Sequence, residues 1–114
     1  MVLNKDFREF LRLLNANNGR YLVVGGYALA VHGYPRYTKD IDIWIWLDRN
    51  NAKNTLKALH DFGFAELALT EADLLTPGIV IQLGYPPSRI DILTQATGVE
   101  FDECYESRIE LDID

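Results

Sequence analysis

Apolar residues recur at helical spacing over residues 4–18, through Phe7, Phe10, Leu11, Leu13 and Leu14, and Asn17-Asn18-Gly19 ends the run. Tyr21-Leu22-Val23-Val24 is a short apolar stretch before Gly25-Gly26, the pattern of a buried strand. A short helix is expected over Tyr27–His32, stopped by Gly33 and Pro35. From Ile41 to Leu47 the chain alternates strictly, which predicts a strand with Ile41, Ile43 and Ile45 on one face. Asp48 is placed to cap a helix running to about Phe62, with Leu56 and Leu59 on its inner side. Thr70-Glu71-Ala72-Asp73 has the form of a capping box and opens a short helix. Ile79–Leu83 and Arg89–Leu93 are two strands, and the Gly84-Tyr85-Pro86-Pro87-Ser88 joint predicts an antiparallel hairpin. A short helix near Phe101–Tyr105 and a strand over Ile109–Ile113 complete the pattern. The expected fold is a single α/β (α+β) domain, residues 1–114, with a mixed sheet covered by helices.

Composition narrows the classes. With 48% hydrophobic and 25% charged residues, the 114-residue chain matches a globular domain and not a disordered or collagenous one. The single cysteine, Cys104, excludes an internal disulfide, and no Cys/His group has zinc spacing. No run approaches the roughly 20 apolar residues of a membrane span. The polar start, Met1–Arg8, lacks the apolar core of a signal peptide, so a cytoplasmic location is expected. The chain ends on Leu111-Asp112-Ile113-Asp114 in a strand pattern with no closing signal, and the natural chain is expected to continue.

The net charge of −6 is unevenly spread. Residues 1–99 hold ten acids and ten bases, whereas residues 100–114 hold seven acids and only Arg108 among the bases. That balance argues against generic duplex nucleic-acid binding, which relies on clustered Lys and Arg. The acidic stretch reads as a solvated face, or as a docking surface for a basic partner.

The candidate chemistry lies in the alternating strands. Asp40 and Asp42 project from the same face, with Cβ atoms about 7 Å apart, while Ile41 and Ile43 point to the other. Two carboxylates side by side repel unless a cation lies between them, and Mg²⁺ prefers hard oxygen ligands of this kind. Asp91, flanked by Ile90 and Ile92, also faces away from the core. If its strand lies beside the first, three carboxylates share one rim, which suits two metals about 3.5–4 Å apart. Gly25-Gly26 joins a strand to a helix, a tight turn whose free N–H groups can also receive a phosphate. Arg36 or Lys39 can offset phosphate charge or neutralise the aspartates, and Thr38 can fix the entry loop. Arg89 shares the face of Asp91 and can meet either a phosphate or a neighbouring carboxylate. Trp44 and Trp46 follow the aspartates on their face and are expected to pack beneath a helix. His32 and His60, near expected helix ends, read as surface or capping residues, and Cys104 lies in an acidic helix that disfavours a nucleophilic thiolate.

Val23-Val24-Gly25-Gly26-Tyr27-Ala28, Arg36-Tyr37-Thr38-Lys39-Asp40-Ile41-Asp42 and Arg89-Ile90-Asp91-Ile92-Leu93, in that order, resemble the polymerase-β-like nucleotidyltransferase superfamily. Within it, the chain looks most like the small prokaryotic antitoxin, abortive-infection and antibiotic-modifying members. The resemblance covers roughly residues 20–95 and implies a nucleotidyltransferase-like fold and transfer of a nucleoside monophosphate from an NTP to a hydroxyl, with pyrophosphate release. It implies Asp40, Asp42 and Asp91 as ligands of Mg²⁺ (or Mn²⁺), with Asp91 also activating the acceptor hydroxyl. Gly25 and Gly26 would approach the triphosphate, with Arg36, Thr38 and Lys39 nearby. The implied acceptors include a partner protein, as in toxin–antitoxin pairs. Gly26 stands where many members carry a serine that helps hold a phosphate. This favours a second expectation, a non-catalytic module of the same fold that binds a basic partner. Homodimerisation through the Trp44/Trp46 face or an edge strand is a third.

Overall fold

The hydrophobic rhythm sets the elements of the computed structural model, which describes residues 5–25, 40–64, 68–84, 89–96 and 98–108. Helix α1 (Lys5–Ala16) buries Phe7, Phe10, Leu11 and Leu14, one stripe at a period of 3.6 residues. Asn18, in the left-handed region at φ 59°, and the Gly19 N–H on the Leu14 carbonyl turn the chain into strand β1 (Tyr21–Val24). Strand β2 (Asp40–Ile45) comes next, and Asp48 caps helix α2 (Arg49–Leu59) by accepting from the Asn51 N–H. The helix expected to reach Phe62 ends as an α-helix at Leu59. It runs on as a wider π-helical turn, His60–Phe64, broken at Gly63 with φ 115°.

Thr70 and Asp73 form the reciprocal bonds of a capping box: the Thr70 N–H donates to the Asp73 carboxylate and the Asp73 N–H to the Thr70 hydroxyl. The helix this box opens is only a 3₁₀ turn, Asp73–Leu75. Strands β3 (Val80–Leu83) and β4 (Arg89–Leu93) pair antiparallel as a hairpin, and helix α3 (Phe101–Glu106) is the last element among the described residues. Among the described residues the sheet has four strands in the order β1-β2-β4-β3. Only β2 and β4 run parallel among the described residues, so the sheet is mixed and the fold is α+β. Among the described residues no helix is long and apolar enough to cross a membrane.

Ile41, Ile43 and Ile45 of β2 and Ile90 and Ile92 of β4 point to one side, where they join the α1 stripe with Ala52, Ala58, Leu59 and Leu74 in a single core. Phe62 closes one edge, its ring edge-on to Phe10 at 5.4 Å. The opposite face carries Asp40, Asp42 and Trp44. Trp44 is buried, and Phe101 of α3 meets it edge-on at 5.2 Å, so the expected helix cover is present. Beyond the strand, Arg20 stacks its guanidinium over Trp46 at 4.5 Å and over Tyr105 of α3 at 5.0 Å. Carboxylates and core helices thus occupy opposite faces of the sheet.

The expected helix at Tyr27–His32 and strand at Ile109–Ile113, together with Gly26, Arg36, Thr38, Lys39, His32 and Tyr85, lie outside the described residues.

One core position carries an unpaired polar group. Thr55 of α2 is wholly buried, and its hydroxyl finds no hydrogen-bond partner among the described residues. A buried hydroxyl left unpaired costs about 1–3 kcal/mol. Thr55→Val keeps the branched shape and removes that group, so it is expected to stabilise the fold by about 1 kcal/mol. A urea titration would read this as a higher midpoint at unchanged slope. A lower midpoint would show that the hydroxyl is in fact bonded.

Candidate metal centre

The alternation that sends Ile41 and Ile43 into the core leaves Asp40 and Asp42 together on the other face. The same rule in β4 leaves Arg89 and Asp91 on that face. The register then decides who meets whom: Asp40 lies across from Arg89 and Asp42 across from Asp91. The expectation of one shared rim therefore holds. One oxygen from each of Asp40, Asp42 and Asp91 can be chosen so that all lie within 4.8 Å of one another.

Asp91 departs from a solvated strand residue. It sits on an inner strand between β2 and β3 and is only 6% exposed, whereas Asp40 and Asp42 are half-buried. Arg89 is its counter-charge. The Arg89 Nη2 pairs closely with Asp40 Oδ2 and donates to Asp91 Oδ2 at 3.2 Å. Arg89 Nε is also 3.2 Å from Asp91 Oδ1, within ion-pair reach. The alignment is too poor for a hydrogen bond, so both buried atoms keep an unmet hydrogen-bonding valence among the described residues. Of the two roles open to Arg89 from sequence, the structure displays that of carboxylate partner.

Three carboxylates and one guanidinium leave a net charge of −2 when all are ionised. The strain shows at Asp42. Burial raises its pKa above the ordinary carboxyl value, the charges of Asp40 and Asp91 and a side-chain hydrogen bond with Asp91 raise it further, and Arg89 offsets only part. At Arg89, burial opposes the charge, but Asp91 and Asp40 outweigh it and hold the guanidinium above its usual pKa.

Gly25 closes the site from β1. Its φ is +75°, and a β-carbon there would stand 2.5 Å from Asp42 Oδ2. The glycine is needed because the Asp42 carboxylate fills the space a side chain would take. Spacing alone could not reveal that contact, since Gly25 just follows β1 whereas Asp42 lies within β2.

The residues fit a divalent cation on three counts: all-oxygen hard ligands, a net double negative charge when all four groups are ionised, and a buried Asp91 oxygen without a hydrogen-bond donor among the described residues. Asp40, Asp42 and Asp91 would hold it. Compared with protein-family models, curated protein sequences and solved structures, the chain finds no match.

Proposed function

We propose that this protein is a Mg²⁺-dependent nucleotidyltransferase, moving a nucleoside monophosphate from an NTP to a hydroxyl acceptor. One observation carries the reading: Asp40 and Asp42 on one strand converge with an in-register Asp91 on its parallel neighbour. In the reaction the acceptor oxygen attacks the α-phosphorus, the bond to the β-phosphate bridge breaks, and pyrophosphate leaves. The proton of the acceptor passes to a carboxylate, and Asp91, buried with Oδ1 lacking a hydrogen-bond donor among the described residues, suits that role. A divalent cation would supply charge neutralisation along the triphosphate. Asp40 and Asp42 orient the donor, and Gly25 leaves them room. The resemblance of the Gly-Gly, Asp-x-Asp and later Asp motifs supports the same reaction, and a cytoplasmic setting with free NTP suits it.

The test is calorimetric titration of each of the four NTPs with Mg²⁺ into wild type and Asp42→Asn. Metal-dependent binding is expected in the wild type and is expected to vanish in the variant. Equal binding or equal transfer by the two proteins would overturn the reading.

Asp42→Asn should have a second signature. With its pKa raised, the folded protein holds a proton that the unfolded chain has already lost. The contribution of Asp42 to the stability of the metal-free protein is therefore most favourable below the ordinary carboxyl range and falls as pH rises through the raised pKa. Above the raised pKa the full penalty is present, so there Asp42→Asn in EDTA is expected to melt higher than wild type. The difference should disappear in acid. A variant that melts lower above the raised pKa would show that Asp42 holds the fold together through a contact other than repulsion.

A second reading has its own observation. Helix α3 turns Asp102, Glu103 and Glu106 outward, which suits a basic partner docking on a non-catalytic module of this fold. In that case no NTP gives a heat with either protein.

A further inference from the structure

We infer that Arg89 is a tethered competitor of the divalent cation, setting how tightly the three-carboxylate cluster binds metal. The inference rests on the reading of that cluster as a metal centre and concerns its regulation. The geometry is specific. Arg89 stands on β4 directly across from Asp40 and two residues before Asp91, so its guanidinium reaches both. It engages Asp40 Oδ2, Asp91 Oδ2 and Asp91 Oδ1, which belong to two of the three carboxylates that can converge on an ion.

An oxygen that accepts a guanidinium N–H in its lone-pair plane presents less charge to a metal, and two cations on the same pair of carboxylates repel. Metal binding and Arg89 docking must therefore oppose each other, and the opposition is reciprocal. The cost to Arg89 of leaving is small enough for exchange. Its side chain is 32% exposed, so water can take over its donors, and among the described residues its Nε lacks a hydrogen-bond acceptor. A metal-free cluster without this residue would lose the cation that bridges Asp40 and Asp91, and the fold would bear more of the carboxylates' mutual repulsion. Arg89 thus offsets that repulsion in the metal-free protein and lowers its affinity for the ion.

The experiment titrates Mn²⁺ alone, without nucleotide, into wild type, Arg89→Gln and Arg89→Lys by calorimetry, with thermal melting as a second readout. Lys57→Gln makes the same charge change at a remote pair with Asp61 and controls for net charge. Arg89→Gln is expected to bind Mn²⁺ at least about tenfold more tightly than wild type. That is the scale for one unit charge on shared carboxylates, screened between bulk-water and protein-surface values. Its Mn²⁺-induced gain in melting temperature should be larger than that of wild type. Arg89→Lys keeps the charge but loses the fork, so it should fall between the two. It carries the test if the glutamine variant does not fold. Lys57→Gln should match wild type.

Equal or weaker binding by the Arg89 variants, with wild-type binding measurable, would overturn the inference and leave the metal centre standing. Binding by none of the four proteins would remove the metal centre itself and the inference with it.

Discussion

Asn51→Ala is expected to lower stability by about 3 kcal/mol, a large share of the ~5–15 kcal/mol that holds a domain of this size. Asn51 is 3% exposed in the first turn of α2, and its side chain is fully used. Its Oδ1 accepts from the Arg20 N–H at 2.7 Å, and its Nδ2 donates to the carbonyls of Trp46 at 2.8 Å and Arg20 at 3.0 Å. It thereby ties the helix to the start of β1 and to the segment leaving β2, the strand that carries Asp40 and Asp42. The Arg20 carbonyl retains a second donor, the Trp46 N–H. Truncation therefore strands chiefly the Arg20 N–H and the Trp46 carbonyl, each worth about 1–3 kcal/mol if buried without a partner. Thermal melting should fall by roughly 10–15 °C. Asn51→Leu separates the causes, because it refills the volume without restoring the bonds. Wild-type stability in Asn51→Leu would mean that packing, and not the hydrogen bonds, is what Asn51 provides.

The second large effect is expected at the site. Gly25→Ala places a β-carbon where Asp42 Oδ2 stands, at φ +75°. The backbone penalty for an alanine in this left-handed region is about 1–2 kcal/mol. The clash itself costs little stability, because the carboxylate can swing aside. That swing carries the functional loss: misplacing one ligand is expected to weaken Mn²⁺ or Mg²⁺ binding about 10–100-fold, the range for changes just behind a metal's ligands. Gly98→Ala is the control. It has nearly the same φ, +79°, and nothing within 4 Å of the new β-carbon. Both variants should lose similar stability, measured by denaturant titration, and only Gly25→Ala should lose metal affinity. Equal affinity in the two would show that Gly25 serves the turn alone.

Much of the site was legible because strand geometry is periodic. In Asp40-Ile41-Asp42-Ile43 the isoleucines must enter the core, so the aspartates must share the other face, and Arg89-Ile90-Asp91-Ile92 obeys the same constraint. The capping residues Asp48 and Thr70 were equally readable, because a cap acts within three residues of itself. The end of α2 was less so. The apolar period runs on past Leu59 through Phe62, and it does not distinguish an α-turn from the wider turn that Gly63 breaks.

The sequence by itself determined which face each of these side chains occupies, since alternation and the hydrophobic core act through neighbouring residues. Tertiary structure alone decided that β2 and β4 are parallel neighbours with Asp42 across from Asp91. A slip of one residue would break that match, and nothing local measures a register between segments about fifty residues apart. It also decided that Asp91 is buried, that Arg89 bridges two carboxylates, and that Gly25 yields its space to Asp42. Those facts depend on contacts between separate strands, where distance and screening by neighbours set the chemistry and sequence spacing carries no record of them.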